Sequence, residues 1–170
     1  MAEEKLVLSV LVDNVSGVLQ RVASLFSRRG YNISSLTVSE TEDPLFSRMT
    51  IETYTEPENF RQIRAQISKL EIVKKVAVLN AENSVSSELL LVKVRAKGIE
   101  KKNHLLEVNR RFGARVVDVT LESFTFELTG RAEAIENFIK EVSAFGIIEM
   151  AKTGVTSLER GADSFKEDLM

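Results

Sequence analysis

Apolar and polar residues along the first part of the chain recur with two different periods. Residues 6–12 carry aliphatic side chains at both alternating sets of positions, which is typical of a central strand covered on both faces. Residues 18–26 place apolar side chains at helical spacing, with arginine off the stripe. Gly30 suits a left-handed helix C-cap, and alternation resumes at Ile33. The pattern predicts a strand, a helix and a second strand.

The same change of period continues along the chain and then repeats once. In the first half it predicts further elements, with strands at 33–39, 46–53 and 72–79 and a helix that starts at Pro57. After a polar segment at 80–87, it predicts strands at 89–96, 115–120, 124–128 and 147–156 and helices at 102–112 and 132–143. Both halves therefore have the order β-α-β-β-α-β.

This order predicts an α+β fold of two tandem ferredoxin-like βαββαβ domains, each with two helices on one face of a four-stranded antiparallel sheet. We expect an N-terminal domain at 1–80, a C-terminal domain at 81–160 and a flexible tail at 161–170. Domains of this size have small cores, and the first strand of each half is apolar on both faces. We therefore expect the second sheet faces to be covered by pairing between domains or between chains, in an obligate dimer or larger assembly.

The composition narrows the classes of partner and site. The 23 Lys and Arg against 25 Asp and Glu residues give a net charge of −2, too small to attract nucleic acid or an acidic membrane. The chain has no Cys and a single His, His104, which excludes disulfides and thiolate metal sites, and we assign no metal. No apolar run approaches the roughly 20 residues of a membrane span. We expect a cytoplasmic protein.

No pattern in the sequence indicates catalysis. The glycine-rich dinucleotide and phosphate loops, the paired-histidine zinc motif and the hydrolase nucleophile elbow are all absent. Carboxylates such as Glu40, Glu42 and Asp43 lie where a turn is expected and do not indicate an acid–base pair. We expect no catalytic residues in this chain.

The loop at 13–17 is the candidate for small-molecule binding. Its small and polar residues can simply cap the following helix. Alternatively, backbone N–H groups at the start of that helix bind a carboxylate, and Asn14 and Asn32 contact the polar end of the ligand. We expect Asn32, just past Gly30, to face the same strand ends as the loop. Arg48 is expected to be solvated or, alternatively, to join an interface.

Several stretches together resemble one known family. In the first half these stretches are 8–14, 16–19, 21–22, 25–27, 29–33, 35–38, 43–44 and 47–51. In the second half they are 90–94, 117–120 and 157–161. With these stretches the chain is similar to the regulatory, or small, subunits of acetolactate synthase, also called acetohydroxyacid synthase, whose N-terminal half is an ACT domain. The resemblance covers nearly the whole chain.

The resemblance implies a non-catalytic subunit that binds and activates a catalytic subunit and confers feedback inhibition by valine or another branched-chain amino acid. It places thiamine diphosphate, magnesium and FAD in the catalytic (large) subunit and implies no cofactor in this chain. It also implies a homodimer formed through the ACT domains, with the effector between two of them. By the family's pattern the effector-binding residues are Asn14, Gly17, Val18, Leu19, Asn32, Ile33 and Val38.

Three other functions remain open from the residues. The first is a stand-alone ACT-type amino-acid sensor that acts on a different partner, which composition alone does not exclude. The second is RNA binding, since RNA-recognition modules share this topology, but residues 47–52 lack the stacking aromatics and the chain is not basic. The third is an enzyme acting alone, which the missing catalytic patterns disfavour.

Overall fold

The computed structural model describes residues 3–162 and Phe165. Within these, residues 3–86, 154–162 and Phe165 form one compact unit, and Ser87–Thr153 forms a second. The first unit contains six elements in sequence order: β1 (Glu4–Asp13), α1 (Val18–Arg28), β2 (Ile33–Glu40), β3 (Phe46–Thr55), α2 (Glu58–Ile67) and β4 (Val73–Leu79). Its strands pair antiparallel in the order β2-β3-β1-β4. This is the predicted βαββαβ arrangement, and the prediction is confirmed.

The core of the first unit lies between the sheet and its two helices. Leu8 and Val10 of β1 stand opposite Ile51 and Met49 of β3, and all four are fully buried. The helix α1 contributes a stripe at a spacing of four residues: Val18, Val22 and Phe26. The alternation along β1 and the helical spacing along α1 thus bring two apolar surfaces together.

The turn between α1 and β2 depends on Gly30. This glycine has a φ of +73°, a conformation that residues with a Cβ rarely adopt. Its N–H donates to the Ser27 carbonyl (3.1 Å), and the Tyr31 N–H donates to the Phe26 carbonyl (3.1 Å). These two bonds define a Schellman cap, so the predicted helix stop is confirmed.

The second unit repeats the arrangement. Its elements are most of β5 (Ser84–Arg95), then α3 (Ile99–Phe112), β6 (Arg115–Val119), β7 (Ser123–Gly130), α4 (Ala132–Ser143) and β8 (Ile147–Lys152). The strands pair antiparallel in the order β6-β7-β5-β8. In its core the rings of Phe126 and Phe138 meet edge to face at 5.8 Å. The second predicted βαββαβ domain is confirmed.

The segment after β8 differs from the sequence prediction. A single strand is predicted at 147–156, but β8 ends at Lys152, and a separate strand, β9 (Thr156–Glu159), pairs with β5. The predicted polar segment at 80–87 is shorter, because Asn80 and Asn83 close a tight turn through side chain-to-backbone bonds and β5 begins directly after it. We call residues 154–159 the C-terminal arm.

The C-terminal arm packs on the helix-free face of the first sheet. We define this face by Ser9, Leu11, Thr37 and Thr50, which lie on the side of the sheet opposite the core residues. Leu11 is fully buried although it points away from both helices. The Thr37 Oγ1 hydroxyl donates to the carbonyl of Val155 (2.6 Å). Val155 itself is only 5% exposed, so the arm shields this face from water.

The division into units therefore differs from the predicted domains at the C-terminal end. Residues 154–162, most of them assigned by the sequence to a domain at 81–160, group with the N-terminal unit. Of the predicted flexible tail at 161–170, residues 163–164 and 166–170 lie outside the described part. Phe165 is described and buried, under the charged ends of Arg48 and Lys75. None of the helices in the described part is long and apolar enough to cross a membrane.

Candidate functional site

The loop between β1 and α1 carries the first group of predicted site residues. Gly17 is the N-cap of α1 with a φ of +80°, and no side chain caps the helix. A Cβ built on Gly17 would meet no atom within 4 Å, so the space in front of the helix start is open. The first turn contains no acidic residue. The uncapped N-terminus of α1 is therefore an accessible, electropositive position for an anion.

Asn14 has a different surrounding from the one expected of a free ligand contact. Its Nδ2 donates to Glu40 Oε1 and to the Pro44 carbonyl, both at 3.0 Å. Its Oδ1 accepts a hydrogen bond from Ser47 Oγ, also at 3.0 Å, and its backbone N–H donates to the Leu45 carbonyl. Asn14 thus ties the β1–α1 loop to the turn between β2 and β3.

These bonds make a prediction for Asn14→Asp. Asn14→Asp and Asn14→Ala both lose the two Nδ2 bonds, but only the new carboxylate lies beside Glu40 and repels it, so we expect Asn14→Asp to be less stable than Asn14→Ala by about 1 kcal/mol at pH 7. Salt screens the repulsion between exposed carboxylates, so the difference between the two variants should shrink as the ionic strength rises. Thermal unfolding of both variants at low and at high salt measures this. A difference that does not depend on salt would contradict the role assigned to Asn14.

The second group of predicted residues lies at the opposite end of the sheet. Asp13 pairs with Phe46 at one end of β3, whereas Ile33 pairs with Thr53 at the other. Thr53 also stands opposite Leu6, seven residues from Asp13, or about 23 Å along an extended strand. The expectation that Asn32 faces the same strand ends as the loop is therefore wrong within one chain. It failed because β1 and β2 both run antiparallel to β3 and are therefore parallel to each other. The start of β2 thus lies at the end of the sheet opposite to the end of β1.

The remaining predicted residues divide between core and surface. The Val18 side chain belongs to the buried core cluster, so it does not point to the surface. Leu19 is 44% exposed and Val38 is 41% exposed. Val38 lies opposite Met49 in register, which places it on the helix-bearing side of β2. Since β2 is an edge strand, Val38 and Leu19 give that side of the unit exposed aliphatic groups.

A polar groove lies beside Asn32. Its lining includes residues 29–32, Ser34, Tyr54 and Asn59. The Asn32 carbonyl accepts a hydrogen bond from Thr53 Oγ1 at 2.6 Å, which fixes the backbone just before β2. Sequence reasoning did not single out Tyr54 or Asn59, because they belong to β3 and α2 and lie beside Asn32 only in the folded chain.

Arg48 lies on the helix-free face and takes part in packing. Its guanidinium carbon is 4.8 Å from the centre of the Phe165 ring, and Lys75 Nζ is 5.1 Å from the same ring. Burial lowers the pKa of Arg48, and the nearby carboxylates of Glu42 and Glu159 oppose that shift. Arg48 is therefore partly buried in packing within the first unit rather than fully solvated, and its alternative role in an interface stays a prediction.

The described residues offer no metal centre. No three His, Asp or Glu side chains among residues 3–162 and Phe165 come together as ligands. The imidazole of His104 packs edge to face on Phe145, with ring centroids 5.0 Å apart. His104 therefore has a packing role in the second unit.

Comparison with family models agrees with the two-domain architecture. Residues 8–75 match a model described as the AHAS small subunit-like ACT domain. Residues 87–161 match a model described as the small subunit of acetolactate synthase. The two matches together span most of the chain and fall on successive parts of it.

Whole-chain relatives lead to the same family. The chain is 47% identical over 154 residues to an acetolactate synthase small subunit of Mycobacterium leprae, covering 91% of this chain and 90% of that one. It is 41% identical to a probable acetolactate synthase small subunit of Methanothermobacter thermautotrophicus, covering 92% and 93%. The crystal structure of the Thermotoga maritima small subunit superposes with a TM-score of 0.85 at 36% identity, covering 94% and 99%. The chain belongs to the acetolactate synthase small-subunit family.

Proposed function

We propose that this chain activates the catalytic subunit of acetolactate synthase and makes it sensitive to feedback inhibition by valine or another branched-chain amino acid. The open N-terminus of α1 at Gly17, beside the exposed Leu19, is the observation that carries the proposal. The carboxylate of a branched-chain amino acid fits the N-terminus of α1, and its aliphatic side chain fits the apolar surface of Leu19. The thiamine diphosphate chemistry resides in the catalytic subunit.

The proposal requires a second copy of the chain, because the two groups of site residues are separated within one copy. In a twofold antiparallel pairing of β2 with β2 of a second copy, centred on Thr37, Ile33 would stand opposite Glu40 of that copy, because the bulge between Ile33 and Ser35 shifts the register by one residue. Glu40 is hydrogen bonded to Asn14, so the β1–α1 loop of one copy would approach the start of β2 in the other. An exposed edge strand is the element through which such pairing forms.

Each residue then has a chemical role at the composite site. The backbone at Gly17 and Val18 would hold the effector carboxylate at the positive end of α1. Asn32 of the other copy would contact the ammonium group, and Leu19, Ile33 and Val38 would enclose the aliphatic side chain. Asn14 would act by holding the loop in place through its bonds to the β2–β3 turn.

The regulatory effect needs only a modest free energy. An effector shifts the equilibrium between active and inhibited arrangements only by the difference in its affinity for the two. A coupling of about 1 to 3 kcal/mol is sufficient. Valine and isoleucine differ by one methylene, which is worth about 1 to 3 kcal/mol in a fitted pocket, so preference among the branched-chain amino acids depends on how tightly the two copies close.

Reconstitution of the enzyme tests the proposal. The purified chain alone should form no acetolactate from pyruvate. Adding it to the catalytic subunit from the same organism should raise the initial rate several-fold, and L-valine, L-leucine or L-isoleucine should then reduce that rate. A stand-alone sensor would neither raise the rate nor co-purify with the catalytic subunit, and that outcome would reject the proposal.

A further inference from the structure

The contact between the C-terminal arm and β2 is specific and close. The Val155 N–H donates to Ser35 Oγ at 3.1 Å, and Thr37 Oγ1 donates to the Val155 carbonyl at 2.6 Å. Both backbone groups of Val155 are thus held by side chains of one strand. The Val155 side chain is buried as well, so the arm is attached to β2 by two hydrogen bonds and an apolar contact.

Gly154 makes this approach possible. A Cβ built on Gly154 would collide with Ser35 Oγ and come within 3.1 Å of the Leu36 backbone nitrogen. Real Cβ atoms are rarely that close to backbone atoms, so an alanine at this position would have to displace Ser35 Oγ and move the arm away from the backbone of β2. Gly154 is therefore required for packing of the arm rather than for a left-handed turn, since its φ is not in that region.

The strand that holds the arm is the strand that carries part of the effector site. Ser35 is two residues from Ile33, and Thr37 is next to Val38. In β2 successive side chains point to opposite faces. Val38 faces the helix-bearing side and Thr37 faces the helix-free side. A shift of β2 at one face therefore moves the anchor points of the arm at the other.

The arm also follows β8 directly along the chain. The Thr153 N–H donates to the Leu89 carbonyl (2.9 Å), and Thr153 Oγ1 accepts from the Leu89 N–H (3.0 Å). The residue before Gly154 is thus bound into the second unit, and the residue after it is bound to β2. Only Gly154 separates the two attachments.

From these contacts we infer that the C-terminal arm transmits effector binding at β2 to the C-terminal half, with Ser35, Thr37 and Gly154 as positioning residues. The inference rests on the proposed function, because it assigns a route by which that site regulates the enzyme. In this inference the contact of Val155 with β2 has two states: in one the arm is bound to β2, and in the other it is released. An effector that binds one arrangement of β2 more tightly shifts that equilibrium.

Two variants separate effector binding from its transmission. Gly154→Ala forces the arm off β2, and the double variant Ser35→Ala/Thr37→Val removes both side-chain bonds to Val155 with little change in volume. Thr156→Ala, at an exposed neighbouring position of the arm, is the matched control. Each full-length chain is titrated with L-valine, then assayed with the catalytic subunit at saturating L-valine.

We expect the two variants to keep L-valine binding, as measured by titration, and to lose much of the inhibition, as measured in the assay with the catalytic subunit. Both variants should still bind L-valine saturably, with a dissociation constant within about tenfold of the unsubstituted chain. They should still activate the catalytic subunit but lose more than half of the maximal inhibition, while Thr156→Ala behaves as the unsubstituted chain. Full inhibition in the variants would overturn the inference, and so would loss of binding together with inhibition.

Hydrogen exchange on the unsubstituted chain gives an independent test that does not depend on how the variants fold. L-valine should change the exchange rate of the Val155 amide, whereas an unchanged rate at saturating L-valine would overturn the inference. Failure of the proposed function is distinguishable from both results. In that case the unsubstituted chain would neither activate the catalytic subunit nor bind a branched-chain amino acid.

Discussion

Gly17→Asp is expected to abolish feedback inhibition by valine while leaving activation of the catalytic subunit intact. The carboxylate would occupy the open space before α1, where the effector carboxylate is proposed to bind. Two like charges about 4 Å apart in a partly exposed site repel by about 1 to 4 kcal/mol, which corresponds to a loss of affinity of roughly fivefold to several hundredfold. Acetolactate assays of the reconstituted enzyme over a range of L-valine concentrations measure the effect.

The control for Gly17→Asp must account for backbone strain. A residue with a Cβ at a φ of +80° costs about 1 to 2 kcal/mol whatever its charge. Gly113→Asp is the matched control, since Gly113 also has a positive φ (+67°) and open space around it but caps α3 in the second unit. It should keep normal inhibition. Unchanged valine inhibition in Gly17→Asp would reject the assignment of the α1 N-terminus as the carboxylate site.

Val38→Lys is expected to weaken the proposed dimer and, with it, effector binding. Val38 is an exposed aliphatic residue on the edge strand β2, and in the proposed pairing it enters the interface near the twofold axis. Burying two lysine ammonium groups there is costly because they lose hydration without gaining a partner. We expect the dimer dissociation constant to rise at least about tenfold, as measured by sedimentation, and L-valine binding to fall in parallel.

The matched variant for the edge-strand test is Val119→Lys. Val119 is an exposed valine on β6, an edge strand of the second sheet, and it has no place in the proposed pairing. This variant should keep the oligomeric state and the effector affinity of the unsubstituted chain. A monomeric Val38→Lys chain that binds L-valine normally would contradict a site shared between two copies.

The fold could be predicted from the sequence because period and turn chemistry agree along most of the chain. Alternation in β1, helical spacing in α1 and the stop at Gly30 each restrict the backbone locally. The prediction failed at 147–156, where β8 ends at Lys152 and a separate strand, β9, begins at Thr156. That break depends on the close approach of Gly154 to β2, a tertiary contact with no periodic signal.

The site could be predicted only in part, for a similar reason. The sequence places Gly17 at a helix start and Asn32 before a strand, and both positions are as expected. Their separation follows from strand direction: β1 and β2 are joined through α1 and run parallel, so the end of β1 and the start of β2 lie at opposite ends of the sheet. The hydrogen bonds of Asn14 to Glu40 and Ser47 also escape sequence reasoning, since they join residues 26 and 33 positions apart.

Calorimetric titration of the full-length chain with L-valine, L-leucine and L-isoleucine tests the central claim most directly, because the claim is that this chain itself binds the effector. We predict saturable binding of at least one of the three, with no more than one molecule per chain and with the binding lost in Gly17→Asp. The absence of binding heat for all three at millimolar concentrations, in a correctly folded protein, would contradict the account.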